Sequence, residues 1–164
     1  MHGHCCRHHG RAGLDLFQLE AVEQLHVNVA LLLNITPDHL DRYPGMNEYF
    51  AAKSRIFENV TADDTAIVRA GEPVSSGTAK RLTFSAYGST ADAMYSAGQF
   101  FIRGELIGSA SSLRLRGKHN MENVLAAMLA CGAFGLTDSE MLKAVESYEP
   151  PAHRCELVRE LNER

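Results

Sequence analysis

Three groups of side chains in this sequence have the types and spacing that phosphate or metal chemistry requires. The first is His39, which lies between Asp38 and Asp41 and follows an apolar run. In open α/β sheets the carboxyl ends of the strands face the ligand crevice, so this position suits Mg²⁺ or phosphate, although Mg²⁺ prefers oxygen ligands. A loop histidine that only caps a backbone group fits the same position equally well.

The second group is Lys53, which lies in a helical pattern of apolar residues. That pattern consists of Met46, Tyr49, Phe50, Ile56 and Phe57. The spacing predicts that Lys53 occupies the middle of the buried face, where desolvation would lower the pKa of its amine. A neutral amine can react with carbon dioxide to give a carbamate, an oxygen ligand suited to Mg²⁺. From the residues alone, the alternative of a lysine that extends along the helix to solvent is favoured.

The third group is Asn120 and Asn123, three residues apart at the start of a predicted helix. The pair would share one face of the helix, beside backbone N–H groups that have no partner within it. Such a position suits a nucleotide. Plain N-capping by Asn120 is at least as compatible with the pattern.

Strands and helices alternate along the chain that would position these groups. Residues 27–35 are apolar without alternation, which is typical of a strand buried on both faces of a parallel sheet. Residues 46–59 are predicted to form a helix, and residues 65–69 and 81–85 short strands. Two further helices are predicted at residues 121–134 and 139–148, and a last strand at residues 155–158.

A hairpin is predicted at residues 99–108, with Arg103 and Gly104 at its turn. Residues 112–116 alternate leucine and arginine, which favours a half-buried strand. We therefore expect an α/β fold, with a mostly parallel sheet, flanking helices and a small antiparallel sheet between about residues 80 and 116.

Composition excludes several classes of protein. The 164 residues fit one domain, and the formal net charge of -4 argues against a nucleic-acid partner. The longest apolar run, residues 29–33, is too short to cross a membrane, and no secretory signal is present. Four cysteines without a disulfide pattern favour the cytoplasm.

Residues 1–13 do not resemble the rest of the chain. They contain two cysteines and four histidines: His2, His4, Cys5, Cys6, His8 and His9. Such a tract could bind a divalent metal, but it lacks the spaced pairs of a zinc site. An unstructured leader is the favoured interpretation.

Taken together, five ordered motifs resemble the central domain of the Mur ligase family. The motifs are FQLE at residues 17–20, NITPDHLDRY at 34–43, AAKSRI at 51–56, GKHNMEN at 117–123 and AHRCE at 152–156. FQLE together with DHLDRY is similar to the branch of the family that adds D-glutamate.

The resemblance implies a function, a mechanism and a set of site residues. ATP would phosphorylate the carboxylate of UDP-N-acetylmuramoyl-L-alanine, and the amine of D-glutamate would attack the acyl phosphate, with Mg²⁺ stabilising charge. His39 would bind Mg²⁺, and Lys53, as a carbamate, would support a second ion. Asn120 and Asn123 would lie beside the adenine, and Arg154 near the ribose and phosphates.

The sequence also departs from the family. The Gly-rich phosphate-binding loop is absent, and residues 13–16 do not match the segment that precedes FQLE in the family. We therefore expect residues 14–164 to be the C-terminal part of a central domain, inactive alone. The alternatives are activity with a separate chain that supplies the loop, a non-catalytic nucleotide- or metal-binding module of the same fold, and a ligase similar to folylpolyglutamate synthetase.

Overall fold

A computed structural model describes Leu19, residues 23–35, Tyr43 and residues 45–150. Within these residues the strands are β1 Val29–Leu32, β2 Thr65–Arg69, β3 Lys80–Ser85, β4 Ala93–Ser96, β5 Gln99–Ile102 and β6 Glu105–Ser109. The helices are α1 Met46–Ser54, α2 Lys118–Ala133 and α3 Asp138–Glu146. Short 3₁₀ turns at Arg55–Phe57 and Ala110–Ser112 complete the elements.

The strands form one sheet in the order β1-β2-β3-β4-β5-β6. β1 to β4 run parallel, whereas β4, β5 and β6 pair antiparallel. The β3–β4 junction is short: it pairs Phe84 with Ala93 and Ser85 with Met94. Because β1, β2 and β3 are parallel, their carboxyl ends meet at one edge of the sheet, here called the carboxyl edge.

This architecture confirms the expected α/β fold class. The strand predicted at residues 65–69 has the bounds of β2, and the first strand of the hairpin has the bounds of β5. The strand predicted at residues 27–35 is shorter, since β1 covers Val29–Leu32. The antiparallel strands extend the parallel sheet and do not form a sheet of their own.

Apolar side chains cover both faces of the sheet. Ile67 of β2 and Phe84 of β3 pack on one face, against the Leu125 side of α2. Val68 faces the other way and packs with Phe57. A non-alternating strand sequence is what two covered faces require, so the run of apolar residues in β2 follows from its central position.

Two elements differ from the sequence-based expectation. The strand predicted at residues 112–116 is wrong: Ser112 ends a 3₁₀ turn, and no strand follows before α2. Leucine and arginine alternate there because their side chains face opposite ways. Leu113 is buried in the core, whereas Arg114 pairs with Glu149 at the surface. Conversely, β4 was not predicted, since its short sequence Ala93–Ser96 carries only a weak strand pattern.

Helix boundaries also bear on the site. The helix predicted at residues 46–59 is α1, followed by the 3₁₀ turn. α2 begins at Lys118, after Gly117 with its positive φ of 86°, so N-capping by Asn120 is wrong. α3 begins at Asp138, one residue before the predicted start, with a capping box between Thr137 and Glu140.

Several predicted features lie outside the described residues. They are the leader at residues 1–13, the His39 position within residues 36–42 and the strand predicted at residues 155–158. Among the residues that are described, no helix is long and apolar enough to cross a membrane.

Candidate functional site

The carboxyl edge brings together residues from three strands and two helices. Asn34 follows β1, Arg69 ends β2, and Tyr87 follows β3 after one intervening residue. The start of α2 reaches this edge, because Glu122 in its second turn bonds to Arg69. In open α/β folds ligands bind at the carboxyl ends of the parallel strands, so this edge is the candidate site.

The structure places Lys53 at the carboxyl end of β1. Its Nζ atom donates a hydrogen bond to the backbone carbonyl of Asn34 at 3.2 Å, and it lies 4.9 Å from the centroid of the Tyr49 ring. The side chain is half-buried, whereas Tyr49 and Ala52 are buried on the same helix. Lys53 therefore points to the strand end and does not extend freely into solvent.

The contacts of Lys53 suit an ammonium group. A carbonyl oxygen accepts its N–H, and the face of an aromatic ring attracts its charge. Conversion to a carbamate would replace the positive charge by a negative one. The new oxygens would then have to face away from both Asn34 O and the Tyr49 ring.

Asn120 and Asn123 lie in the first two turns of α2, both half-buried. The Nδ2 atom of Asn120 donates to the carbonyl of Arg116 at 2.7 Å, which ties the turn before the helix to its start. The Nδ2 atom of Asn123 lies 3.5 Å from Nε2 of His119. The two amides and the imidazole thus share one side of the helix start.

Four further side chains connect α2 to the strand ends. Arg69 Nε donates to Glu122 Oε1 at 3.0 Å, and Glu122 is only 5% exposed. The Arg69 guanidinium carbon lies 5.0 Å from the centroid of the Tyr87 ring, and Lys118 Nζ lies 5.2 Å from the same centroid. The ring is thus contacted by two cations, one from β2 and one from α2.

Chemically, the carboxyl edge can bind an anionic ligand with a polar ring. The N-terminal end of α2 presents backbone N–H groups and the positive end of the helix dipole. The amides of Asn120 and Asn123 can donate to and accept from a heterocycle. Lys53 at the end of β1 and Lys118 at the start of α2 add positive charge.

Two of the predicted site residues, His39 and Arg154, lie outside the described residues. Asp38 and Asp41 lie there too. In the part of the chain that is described, no group of three or more His, Cys, Asp or Glu side chains could hold a metal ion. The roles assigned to these residues stay predictions.

Sequence reasoning missed Arg69 and Glu122. A polar residue that ends a buried strand was a usable signal for Arg69, because it falls at the ligand edge of a parallel sheet. A usable signal for Glu122 was a charged residue among the apolar residues on the buried side of a helix, between Asn120 and Asn123. Neither signal identifies the partner, because the two residues are 53 positions apart.

Comparison with known proteins shows the family of the chain. The family model described as "Mur ligase middle domain" matches residues 12–131. The chain belongs to the Mur ligase family. The match includes the carboxyl edge from Lys53 to Asn123.

Two of the most similar curated relatives share one name. The UDP-N-acetylmuramoylalanine–D-glutamate ligase of Trichlorobacter lovleyi is 38% identical over 159 residues, which are 92% of this chain and 36% of that protein. The enzyme of the same name from Syntrophotalea carbinolica is 40% identical over 161 residues, with the same shares. The chain thus spans about a third of the length of the curated relatives it matches.

Solved structures show the same fold. MurF from Acinetobacter baumannii superposes with a TM-score of 0.64 at 22% identity, over 82% of this chain and 32% of that one. A UDP-N-acetylmuramate:L-alanyl-gamma-D-glutamyl-meso-diaminopimelate ligase from Neisseria meningitides gives 0.61 at 17% identity, over 73% and 40%. At these identities the likeness concerns the Mur ligase fold alone.

Proposed function

We propose that this chain supplies the nucleotide-binding edge of a ligase that joins D-glutamate to UDP-N-acetylmuramoyl-L-alanine with consumption of ATP. The proposal is supported by membership of the Mur ligase family and by the shared name of the relatives. Because the chain covers 36% of those relatives, the complete activity belongs to a protein that contains more than these residues.

The proposed reaction has two steps. The terminal phosphoryl group of ATP passes to the carboxylate of UDP-N-acetylmuramoyl-L-alanine, which gives an acyl phosphate and ADP. The amine of D-glutamate then attacks the acyl carbon, and phosphate leaves as the amide forms. Catalysis of the first step depends on positioning and on neutralising negative charge.

The roles of the chain's residues follow from their position and from the family resemblance. Asn120 and Asn123 would hold the adenine ring, and Arg154 would contact the ribose and phosphates. His39 and a carbamylated Lys53 would hold Mg²⁺, which supplies charge neutralisation on the transferring phosphoryl group. The residue 36–42 segment, which carries His39, begins two residues after Asn34, whose carbonyl accepts from Lys53.

One observation carries the proposal: the first two turns of α2, with both asparagines, lie at the carboxyl ends of the parallel strands. The Arg69–Glu122 bond of 3.0 Å joins these turns to the end of β2. An adenine edge presents one acceptor and one donor, which is the pattern that an asparagine amide complements.

Nuclear magnetic resonance of the ¹⁵N-labelled chain tests this proposal. Addition of ATP with Mg²⁺ is expected to shift the backbone amides of residues 118–123 and the side-chain amides of Asn120 and Asn123. Asn28, which lies before β1 at the opposite edge, serves as the internal control. No shifts in residues 118–123, or shifts centred on the opposite edge, would count against the proposal.

A non-catalytic binding module with the same fold would give the same shifts. The two functions separate when Asn120→Ala and Asn123→Ala are placed in a full-length ligase that carries this segment. If the segment acts in a ligase, both substitutions are expected to lower the ADP release that depends on D-glutamate. Asn28→Ala is the matched control and is expected to leave turnover unchanged.

A further inference from the structure

We propose that Arg69 and Glu122 are positioning residues: their ion pair sets the rotation of α2 and thereby aims Asn120 and Asn123 at the base of the nucleotide. The inference rests on the proposed function and adds the origin of base selectivity. Neither residue has to touch the nucleotide for this role.

The first support is the burial of Glu122. Its side chain is 7% exposed, and Arg69 Nε lies 3.0 Å from its Oε1. The Arg69 side chain is 33% exposed, so the pair is part-buried. An ionised carboxylate removed from water requires a partner with defined geometry, and a pair of this kind is weak evidence for a gain in stability over apolar residues of the same size. We infer that the pair is retained for the geometry it imposes.

The second support is helix geometry. Successive residues of an α-helix are about 100° apart around its axis. Asn120 and Asn123 are therefore about 60° apart on one side, and Glu122 lies about 100° from Asn123. Fixing Glu122 on the strand end fixes the direction in which both asparagine side chains leave the helix.

A second, weaker contact joins the preceding turn of α2 to the same strand ends. Lys118, the first residue of α2, lies with its Nζ 5.2 Å from the centroid of Tyr87, and Arg69 lies 5.0 Å from the same centroid. Glu122 and Lys118 are four residues apart, about one helical turn. The start of α2 is thus contacted at two successive turns: Arg69 binds Glu122, and Tyr87, which Arg69 also contacts, packs against Lys118.

The remaining length of α2 is held by other forces. Val124, Leu125 and Met128 are buried in the apolar core below the sheet-facing side of the helix. Loss of the Arg69–Glu122 pair is therefore expected to leave the helix docked while its first turn gains freedom. This separation makes a positioning role measurable apart from folding.

The test compares Glu122→Gln and Arg69→Lys with the unsubstituted chain. Glu149→Gln is the matched control, because it removes the carboxylate from another arginine–glutamate pair, the exposed Arg114–Glu149 pair. Each protein is titrated with ATP and with ITP, whose hypoxanthine ring replaces the amino group of adenine by a carbonyl. Thermal unfolding is recorded in parallel.

Glu122→Gln is expected to weaken ATP binding roughly tenfold, as loss of a supporting residue commonly does, while ITP binding changes little. The ratio of ATP to ITP affinity then falls towards one. Arg69→Lys, which keeps the charge but loses the planar fork, is expected to reduce the ratio in part. An unchanged ratio in Arg69→Lys and in a folded Glu122→Gln overturns the inference, as does equal weakening of both nucleotides in step with lower thermal stability.

A measurement without nucleotide separates this inference from the proposed function. In the ligand-free chain the side-chain amide signals of Asn120 and Asn123 are expected to broaden or collapse in Glu122→Gln and to stay unchanged in Glu149→Gln. If these signals respond but the unsubstituted chain binds no ATP, the positioning role stands and the proposed function fails. If ATP binds and the asparagine signals do not respond, the positioning role fails.

Discussion

The Nε2 atom of His26 lies 2.7 Å from Oδ2 of Asp64, at the opposite edge of the sheet from the candidate site. The same oxygen accepts hydrogen bonds of 2.7 Å from the backbone N–H and from the hydroxyl of Thr61. Asp64 is 2% exposed. Burial by itself would raise the pKa of Asp64, but the hydrogen bonds from Thr61 and the contact with His26 outweigh it and hold the pKa below its usual value.

Asp64 is therefore expected to make the fold sensitive to acid. A carboxylate whose pKa is lowered on folding stabilises the fold above its unfolded pKa, and this contribution is lost as pH falls through the folded value. Asp64→Asn should lower the free energy of unfolding by about 2 kcal/mol at neutral pH. It should also flatten the fall in stability below about pH 4.

Urea unfolding from neutral to acidic pH measures both effects. Asp63→Asn is the control, since Asp63 is the exposed neighbour of Asp64 in the sequence. Equal acid sensitivity in Asp64→Asn and the unsubstituted chain would show that the His26–Asp64–Thr61 contacts do not couple protonation to folding.

The 164-residue chain assayed alone is expected to release no ADP from ATP when UDP-N-acetylmuramoyl-L-alanine and D-glutamate are also present. Its sequence contains no Gly-rich phosphate-binding motif, and phosphoryl transfer depends on such a cradle for positioning. A coupled ADP assay on the purified chain provides the measurement. ADP release that requires both substrates would contradict the expectation.

Lys53 is expected to form a carbamate when the segment at residues 36–42 and Mg²⁺ are in place. With ¹³C-labelled bicarbonate, a full-length ligase carrying this segment should show a carbamate resonance that Lys53→Ala abolishes. Turnover should fall strongly in the same variant, without rescue by bicarbonate. Acetate, which can stand in for the carbamate oxygens, is expected to restore turnover in part.

Lys80→Ala is the matched control for Lys53, because Lys80 is an exposed lysine at the start of β3, at the other edge. It should keep both the resonance and the turnover. A resonance that survives Lys53→Ala, or full activity of that variant, would identify Lys53 as an ordinary cation beside Asn34 and Tyr49.

Ala97 offers a site for stabilisation. It has a φ of 49° and precedes Gly98 with a φ of 79°, so the β4–β5 turn has positive φ at both central residues. Only glycine, asparagine and aspartate adopt this region readily. Ala97→Asn is expected to raise the free energy of unfolding by about 1 kcal/mol, whereas Ala97→Val should lower it, both measured by urea unfolding.

Gly108 of β6 is expected to tolerate alanine poorly. A Cβ atom there would lie 2.5 Å from Cδ2 of Leu142 in α3. Gly108→Ala should therefore lower the free energy of unfolding by about 1 to 2 kcal/mol, as overpacking does. Adding Leu142→Ala should recover part of that loss, and strictly additive effects of the two substitutions would show that the close approach has no energetic consequence.

The sequence predicted those elements of the fold whose conformation is decided by neighbouring residues in the chain. The apolar run of β2 and the Arg103–Gly104 turn could be read from neighbouring residues alone. The β4 strand could not, because its pairing with β3 and β5 is decided by partners elsewhere in the chain.

The candidate site divides in the same way. Lys53, Asn120 and Asn123 were singled out by spacing within one helix each. The Arg69–Glu122 pair joins a strand end to a helix 53 positions away, and no periodicity reports such a contact. The strand predicted at residues 112–116 was wrong because any extended segment with one side on the core alternates apolar and polar residues, as Leu113 and Arg114 do.

The brief β3–β4 junction has a consequence for how the molecule comes apart. In the part of the chain that is described, strand pairing between β3 and β4 is limited to Phe84–Ala93 and Ser85–Met94, and hydrogen bonds between Thr83 and Asp92 support it. By contrast, α2 packs across β1, β2, β3 and β4. The helix, more than the backbone ladder, makes the two halves a single cooperative unfolding unit. Local opening of α2 would therefore be expected to loosen the β4–β6 meander from the parallel strands, since the helix packs on both.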